Sequence, residues 1–353
     1  MDFESARGLK EEVLAEFGRV PGPRSSALGR LSSAAGSAIS ETVQAMLPVV
    51  ASSTGGGPLR RRLGLESEPS IGFGVAVSNI GECKLAVRYP WLNRDRAPHL
   101  EELTKLARDE IDVDWTGPIN VQNAVSYWFR QECRPLRIGA SVADKNGTAG
   151  SVCAFVRRGG GSPELLSCSH VLANCGRAPL NATILQPGPS DGGGTTHSIG
   201  HLAHSLPLDR SAVNVVDCAL AALATGISAD YATLEGLGDL AGVVDRSWYA
   251  PSAQGQEVTK IGRTTGTTHG RVSVLSFSQF INYPGFGRCF FDDLIEVTNA
   301  ESPFSEAGDS GSLVFTRNDR LGIGMVIAGS EDYKSYVTRL DTILSLLGAE
   351  IVT

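Results

Sequence analysis

The sequence lacks the segments that would carry the chain into or across a membrane. Residues 1–7 have neither the basic start nor the apolar core of a secretory signal. No run of about 18 apolar residues is present that could span a bilayer. We therefore expect a cytoplasmic protein with no membrane partner.

Basic residues are too few to form a surface for nucleic acid. Lysine and arginine together number 31 against 38 aspartate and glutamate residues, and the formal net charge is −7 at pH 7. The charges are dispersed and do not gather into runs. The sequence predicts no nucleic-acid partner.

The seven cysteines form no recognisable disulfide or metal-binding pattern. Their number is odd, no Cys-x-x-Cys pair occurs, and most of them lie in apolar segments. We expect no cofactor, and we interpret the thiols as small buried hydrophobic side chains: Cys83, Cys133, Cys153, Cys168, Cys175, Cys218 and Cys289.

A possible metal site rests on His197, His201 and His204, whose spacing of four and three would place them on one face of a helix. The neighbouring glycine, serine and threonine residues do not favour a helix. We expect surface loop histidines here and no bound metal.

The composition is that of a globular chain with a large core, since 42% of its residues are hydrophobic and 20% are charged. Four parts are predicted. Residues 4–17 have the spacing of a helix with Leu9, Val13, Leu14 and Phe17 on one side. They open a helical amino-terminal segment with a Gly/Ser linker (residues 1–66), which also holds one or two helices between residues 24 and 57.

The second predicted part is a small α/β unit over residues 67–122, with strands at 71–77, 84–89 and 111–115 and a helix at 100–111. A connector (123–137) leads to the last part, residues 138–353. There, short strands rich in Val, Ile and Ala alternate with turn residues, which is typical of an all-β barrel or sandwich. Helical spacing returns at Leu340, Ile343, Leu344 and Leu347.

A serine stands in the tight turn Gly308-Asp309-Ser310-Gly311, directly before an apolar strand. This arrangement is typical of the nucleophile of a serine peptidase. A serine hydroxyl is inert at neutral pH unless an imidazole takes its proton and amide donors stabilise the oxyanion. The tetrapeptide alone is also compatible with an ordinary turn.

Two residues upstream could complete the chemistry. His170 follows a buried strand that ends in small residues, which leaves room for a substrate carbonyl beside the ring. Asp217 is a single acid in an apolar strand, and a buried carboxylate is costly unless it has a partner. Taken singly, each could be a structural residue.

The order His170, Asp217, Ser310, together with residues 260–272, resembles the chymotrypsin/trypsin family of serine peptidases over about residues 138–350. Residues 169–174 and 184–189 are similar to an intracellular, disulfide-independent branch of the narrow-leaf type in plants and bacteria. The resemblance implies a mainly β fold of two six-stranded antiparallel barrels, at residues 138–224 and 257–337. The active site would lie in the cleft between them, and a terminal helix would pack on the second barrel.

The resemblance also implies roles for single residues. His170 would be the base, Asp217 would hold its ring, Ser310 would be the nucleophile, and the amides of Gly308 and Ser310 would bind the oxyanion. The substrate would be a protein or peptide. For the specificity pocket it implies Phe304 at the floor, which favours a small or apolar P1 residue, and a wall formed by Ile327, Ala328 and Gly329.

The sequence is also compatible with other functions and modes of control. The chain could be a catalytically silent trypsin-like scaffold or a peptide-binding module. In secreted relatives the acid before the serine pairs with a new amino terminus. Here Asp309 could do so after cleavage near Arg137, or it could have a local partner. Residues 1–130 could hold the peptidase inactive, bind a regulatory partner or form a homo-oligomer.

Overall fold

The computed structural model describes residues 1–17, 71–79, 82–90, 97–116, 128–299, 302–330 and 332–353. The helices predicted between residues 24 and 57 lie outside the described residues, as do residues 123–127 of the predicted connector.

Helical spacing at both ends of the chain is confirmed. The helices are α1 (Phe3–Phe17), α2 (Leu100–Leu106), α3 (Ser169–Leu172) and α4 (Leu340–Leu347). Helix α2 is shorter than predicted, because Arg108 and Asp109 have φ angles of 51° and 66°, which are incompatible with a continuing right-handed helix.

The strands, in chain order, are β1 (Gly72–Asn79), β2 (Glu82–Tyr89), β3 (Ile111–Trp115), β4 (Ser141–Asp144), β5 (Gly150–Ser151), β6 (Ala154–Arg158), β7 (Glu164–Ser167), β8 (Thr183–Leu185), β9 (Ser198–Ser205), β10 (Val213–Asn214), β11 (Ala219–Leu223), β12 (Thr233–Leu234), β13 (Gly238–Asp239), β14 (Gly242–Val243), β15 (Glu257–Gly262), β16 (Gly266–Tyr283), β17 (Gly287–Thr298), β18 (Leu313–Thr316), β19 (Leu321–Gly329), β20 (Ser335–Arg339) and β21 (Ala349–Ile351). The three strands predicted in the α/β unit are confirmed, with small shifts in their bounds.

The first sheet contains eight strands in the order β21-β6-β7-β11-β9-β8-β4-β5. Strand β21 follows the terminal helix α4 and pairs antiparallel with β6. It is therefore one edge strand of this sheet. In β6, β7 and β11 consecutive residues are buried, so both faces of these strands are covered.

The second sheet contains eleven strands, most of them in the order β10-β17-β20-β19-β18-β15-β16-β1-β2-β3, with an additional pairing between β16 and β17. The strands of the α/β unit continue it, because β1 pairs antiparallel with β16, with Phe73 opposite Ser278. Helix α4 packs on β19 and β20, as predicted.

The chain is mainly β, as predicted, and its two large sheets are barrel-like; β12 and β13 form a separate two-stranded sheet. The prediction of two six-stranded barrels needs correction. The first sheet is an open path of eight strands, and the second extends through β1, β2 and β3. The sequence pattern of short strands and turns does not show which strands pair, and pairing decides whether a sheet closes.

Helix α1 is fixed on the second sheet by a buried ion pair. Lys10 Nζ lies 3.1 Å from Asp292 Oδ1, and both side chains are 2% exposed. The same ammonium donates to Ser276 Oγ at 3.2 Å. Val13 and Leu14, two of the predicted apolar positions, are buried beside the α/β unit. The amino-terminal helix is therefore part of the packed structure.

All seven cysteines are buried and free, which confirms the prediction that they are small core residues. None of the described helices has the length and apolar character needed to cross a bilayer. His201 and His204 lie on β9, and His197 ends a 3₁₀ turn just before it. The helical face that would gather these histidines does not form, and two of them lie on a strand and not in the expected loop.

Candidate active site

His170 lies on α3, the four-residue helix that directly follows β7. Because the helix begins where β7 ends, this strand determines the position of the imidazole relative to the first sheet. Its side chain is 12% exposed. Nε2 is buried and has no hydrogen-bond partner among the described residues, and no hydrogen bond there joins it to Ser310.

Asp217 is completely buried, but it lies in the segment between β10 and β11 and not within a strand as predicted. Oδ1 accepts a hydrogen bond from the backbone amide of His170 at 3.1 Å, and Oδ2 lies 2.5 Å from His170 Nδ1. Oδ2 also accepts from the hydroxyl of Tyr283 at 3.0 Å. The buried carboxylate thus has three hydrogen-bond partners: the amide of His170, its Nδ1 and the hydroxyl of Tyr283. These bonds offset the cost of desolvation.

Ser310 lies in the turn before β18 and is 4% exposed. Gly308 and Gly311, on either side, both have a φ of 93°, a left-handed conformation that favours glycine. A Cβ on Gly311 would lie 2.3 Å from both Ser151 O and Ser167 Oγ. Backbone conformation and crowding together explain why glycine follows the serine.

The first sheet holds this turn through Ser151. The amide of Ser151 donates to Ser310 O at 2.8 Å, and its hydroxyl donates to Gly308 O at 3.0 Å. The hydroxyl in turn accepts from the amide of Arg263 at 2.9 Å. One serine therefore fixes the Ser310 turn to the sheet that carries His170.

The amides predicted for the oxyanion are available as donors. Neither Gly308 N nor Ser310 N donates to an acceptor among the described residues. Thr264 Oγ1 donates to Ala307 O at 2.8 Å, which fixes the orientation of the peptide that carries the Gly308 amide.

Asp309 has a local partner. Its Oδ2 lies 3.4 Å from Lys260 Nζ, and both side chains are completely buried. The carboxylate also accepts hydrogen bonds from the amides of Thr264, Thr265 and Glu306. Burial lowers the pKa of Lys260, whereas the Asp309 charge opposes that shift. The sequence left two possible partners for Asp309, a new amino terminus or a nearby residue. The structure shows the nearby residue, Lys260.

The residues predicted for the specificity pocket are buried. Phe304 is 0% exposed and packs in the apolar cluster of the second sheet with Val258 and Val272. Ile327, Ala328 and Gly329 end strand β19. Two hydrogen bonds link this strand to the turn: Gly311 N donates to Val326 O at 2.8 Å, and Val326 N donates to Ser312 O at 3.0 Å.

Sequence reasoning missed Tyr283, Lys260 and Ser151 as parts of this site. For Lys260 a signal was present, since a lone lysine in the apolar strand β15 requires a buried partner just as Asp217 does. Tyr283 and Ser151 stand in ordinary strand and turn sequence. Only the pairing of distant segments brings them to the site.

One cluster has the residue types of a metal site. The ligand atoms of Cys168, His170 and Asp217 lie within 4.8 Å of one another. Nδ1 of His170 and Oδ2 of Asp217 are hydrogen-bonded to each other, and the Cys168 thiol donates to Val326 O at 3.4 Å. Because all three are engaged in hydrogen bonds, we assign no metal to this cluster.

Comparison with known proteins gives a partial match. Solved structures similar to this chain include several proteases. A glutamic acid specific serine protease that uses a histidine triad in substrate binding is 19% identical over 62% of this chain and 100% of its own, with a TM-score of 0.44. Cellulomonas bogoriensis chymotrypsin is 20% identical over 61% and 98%, with a TM-score of 0.43. Nocardiopsis protease is 16% identical over 63% and 100%, with a TM-score of 0.44.

The identities are below 25% and the TM-scores below 0.5, so these similarities do not establish what this chain does. None of the curated proteins matches the chain. A family model does match: residues 213–338, about a third of the chain, correspond to the Nal1 C-terminal domain.

Proposed function

We propose that the protein is a serine endopeptidase that hydrolyses peptide bonds through an acyl-enzyme at Ser310. The observation that carries the proposal is the completely buried Asp217 carboxylate, which bonds to both the amide and Nδ1 of His170. An ionised carboxylate accepts hydrogen bonds, so Nδ1 carries the proton. Nε2 is then the nitrogen that can accept another.

In the proposed reaction, His170 Nε2 takes the hydroxyl proton of Ser310 while Oγ bonds to the carbonyl carbon of the substrate. The negative charge that develops on the carbonyl oxygen is stabilised by the amides of Gly308 and Ser310, at roughly 3 kcal/mol per donor. The C–N bond then breaks, and the imidazolium gives its proton to the leaving amine. Water repeats the sequence on the ester and frees Ser310.

The substrate we propose is a protein or peptide with a small or apolar P1 residue. Phe304, at the predicted floor of the pocket, is apolar and buried and supplies no charge for a basic side chain. We further propose a cytoplasmic protein of the disulfide-independent narrow-leaf branch. The seven free, buried cysteines support this placement.

Labelling with a fluorophosphonate probe tests the proposal, because the probe phosphonylates a serine only where a base and an oxyanion site activate it. We expect the wild-type protein to be labelled and Ser310→Ala to remain unlabelled. Ser312→Ala is the matched control: its hydroxyl is buried without a hydrogen-bond partner among the described residues, so labelling should persist. Intact-mass analysis measures the extent of labelling.

If neither the folded wild-type protein nor a folded variant with the amino-terminal helix released took up label, the endopeptidase proposal would be contradicted and the silent scaffold would be favoured. That alternative predicts peptide binding that survives Ser310→Ala, which isothermal titration with a peptide library pool would measure. Equal labelling of the wild type and Ser310→Ala would place the reactive serine elsewhere and would equally contradict the proposal.

We also propose that residues 1–130 restrain the peptidase or hold it in an oligomer. The buried Lys10–Asp292 pair and the β1–β16 pairing attach this region to the sheet that carries Ser310. Lys10→Met removes the cation from the pair and should weaken the docking of α1 by about 3 kcal/mol. We expect faster limited proteolysis of residues 1–17 and a higher rate of fluorophosphonate labelling.

Lys105→Met, on the exposed side of α2, is the control and should change neither measurement. Light scattering follows the mass of the assembly in parallel. If Lys10→Met released α1 while the labelling rate and the mass both stayed at wild-type values, this restraint would be disproved.

A further inference from the structure

The hydroxyl of Tyr283 reaches the candidate acid from the other sheet. Tyr283 is the last residue of β16 in the second sheet, whereas Asp217 lies two residues before β11 of the first. The hydroxyl donates to Asp217 Oδ2 at 3.0 Å, the same oxygen that lies 2.5 Å from His170 Nδ1. A residue distant in sequence thus shares the carboxylate oxygen with the imidazole.

The ring of Tyr283 is held as firmly as its hydroxyl. Its side chain belongs to the main core, with 3% exposure. The ring lies edge-on to His170, with centroids 5.4 Å apart and an interplanar angle of 60°, and it also contacts Phe291. A phenol fixed in this way can hold Oδ2 in place and can limit rotation of the imidazole.

We propose that Tyr283 is a positioning residue of this site: its hydroxyl fixes the Asp217 carboxylate and sets how strongly that carboxylate accepts the Nδ1 proton of His170. The inference rests on the proposed function, because it assigns a part in the same proton transfer. Tyr283 touches neither substrate nor Ser310 in this role and acts through Asp217.

The protonation of the groups around Tyr283 and Asp217 is consistent with a tyrosine hydroxyl that always donates to the carboxylate. Burial and the Asp217 charge raise the pKa of Tyr283 well above its usual value, so the phenol keeps its proton. The neighbouring thiols are neutral for the same reason. Burial raises the pKa of Cys175 and Cys289 to about 12 and that of Cys168 and Cys218 well above its usual value.

The test is Tyr283→Phe, which removes one oxygen atom and keeps the ring. Without the hydroxyl, Oδ2 keeps more negative charge and accepts the Nδ1 proton more strongly. We expect the low-field proton resonance of His170 Nδ1 to move further downfield. We also expect kcat on an ester substrate to fall about tenfold with KM unchanged, the size of one hydrogen bond to a charged group.

Tyr249→Phe is the matched control. The Tyr249 hydroxyl donates to the backbone carbonyl of Ile323 at 2.7 Å, so this variant also loses a tyrosine hydrogen bond, but one that does not involve Asp217. It should leave both the resonance and kcat unchanged. Incorporation of 3-fluorotyrosine at Tyr283 gives a second measurement. A stronger phenol donor should move the resonance upfield, opposite to Tyr283→Phe, even if the phenylalanine variant does not fold.

A resonance that stays in place in both altered proteins would overturn the inference, whatever the effect on stability. So would a loss of stability without a change in kcat, because a purely structural phenol predicts that result. If Ser310 takes up no fluorophosphonate in either the wild type or Lys10→Met, the proposed function fails, and the resonance then decides the Tyr283–Asp217 coupling independently.

Discussion

Asp217→Asn is expected to lower kcat/KM by roughly 10⁴-fold while leaving the fold intact. An amide can donate to the imidazole, so His170 would settle with its proton on Nε2 and none on Nδ1. The nitrogen that should accept the proton of Ser310 would then already carry one. Steady-state hydrolysis of an ester substrate, together with the rate of fluorophosphonate labelling, measures the loss.

Because Asn has the shape of Asp, the variant separates charge and tautomer from packing. Circular dichroism and thermal unfolding should show a folded protein. Asp245→Asn is a suitable control, since Asp245 is an exposed acid that caps a 3₁₀ turn by accepting from Ser247 N, and asparagine can do the same. If Asp217→Asn kept its rate within tenfold of wild type, Asp217 would not act as proposed.

The sequence made much of this site predictable, for a physical reason. A lone acid in an apolar segment must find a donor, and a glycine-flanked serine turn needs left-handed backbone. Asp217 does bond to His170, and Gly308 and Gly311 both have positive φ. The cost of burying a charge and the need for a positive φ each depend on the residue type and its immediate neighbours. Both can therefore be inferred from a short stretch of sequence.

What the sequence did not reveal depends on which distant strands pair. The position of Tyr283 against Asp217 requires the end of β16 in one sheet to lie beside the segment that leads into β11 of the other. The continuation of the second sheet into the α/β unit requires β1 to pair with β16. The alternation of apolar and polar residues in a strand shows which face of that strand is buried. It does not show which other strand pairs with it.

That pairing also bears on how the restraint by residues 1–130 is best tested. Deleting them would remove β1, β2 and β3, and with them the partner of β16 along part of its edge. An exposed strand edge promotes aggregation, and aggregation would obscure any change in labelling. Single substitutions such as Lys10→Met release the helix and leave the sheet complete.

The second large effect is expected for Lys260→Met, which should lower the free energy of unfolding by about 3–5 kcal/mol. Lys260 Nζ is the only cation within 4 Å of the Asp309 carboxylate among the described residues, and both groups are completely buried. Methionine fills the space of the lysine stem but leaves Asp309 with hydrogen bonds alone. Urea unfolding followed by fluorescence measures the loss.

The same variant should also lose fluorophosphonate labelling, because Asp309 directly precedes Ser310 and its carboxylate accepts from the amides that shape the turn. Lys145→Met, an exposed lysine, should leave stability and labelling at wild-type levels. The double variant Lys260→Met/Asp309→Asn removes both charges and should recover part of the stability, since no buried charge then lacks a partner. If the single variant were as stable as the wild type, the Lys260–Asp309 pair would not be what holds the nucleophile turn.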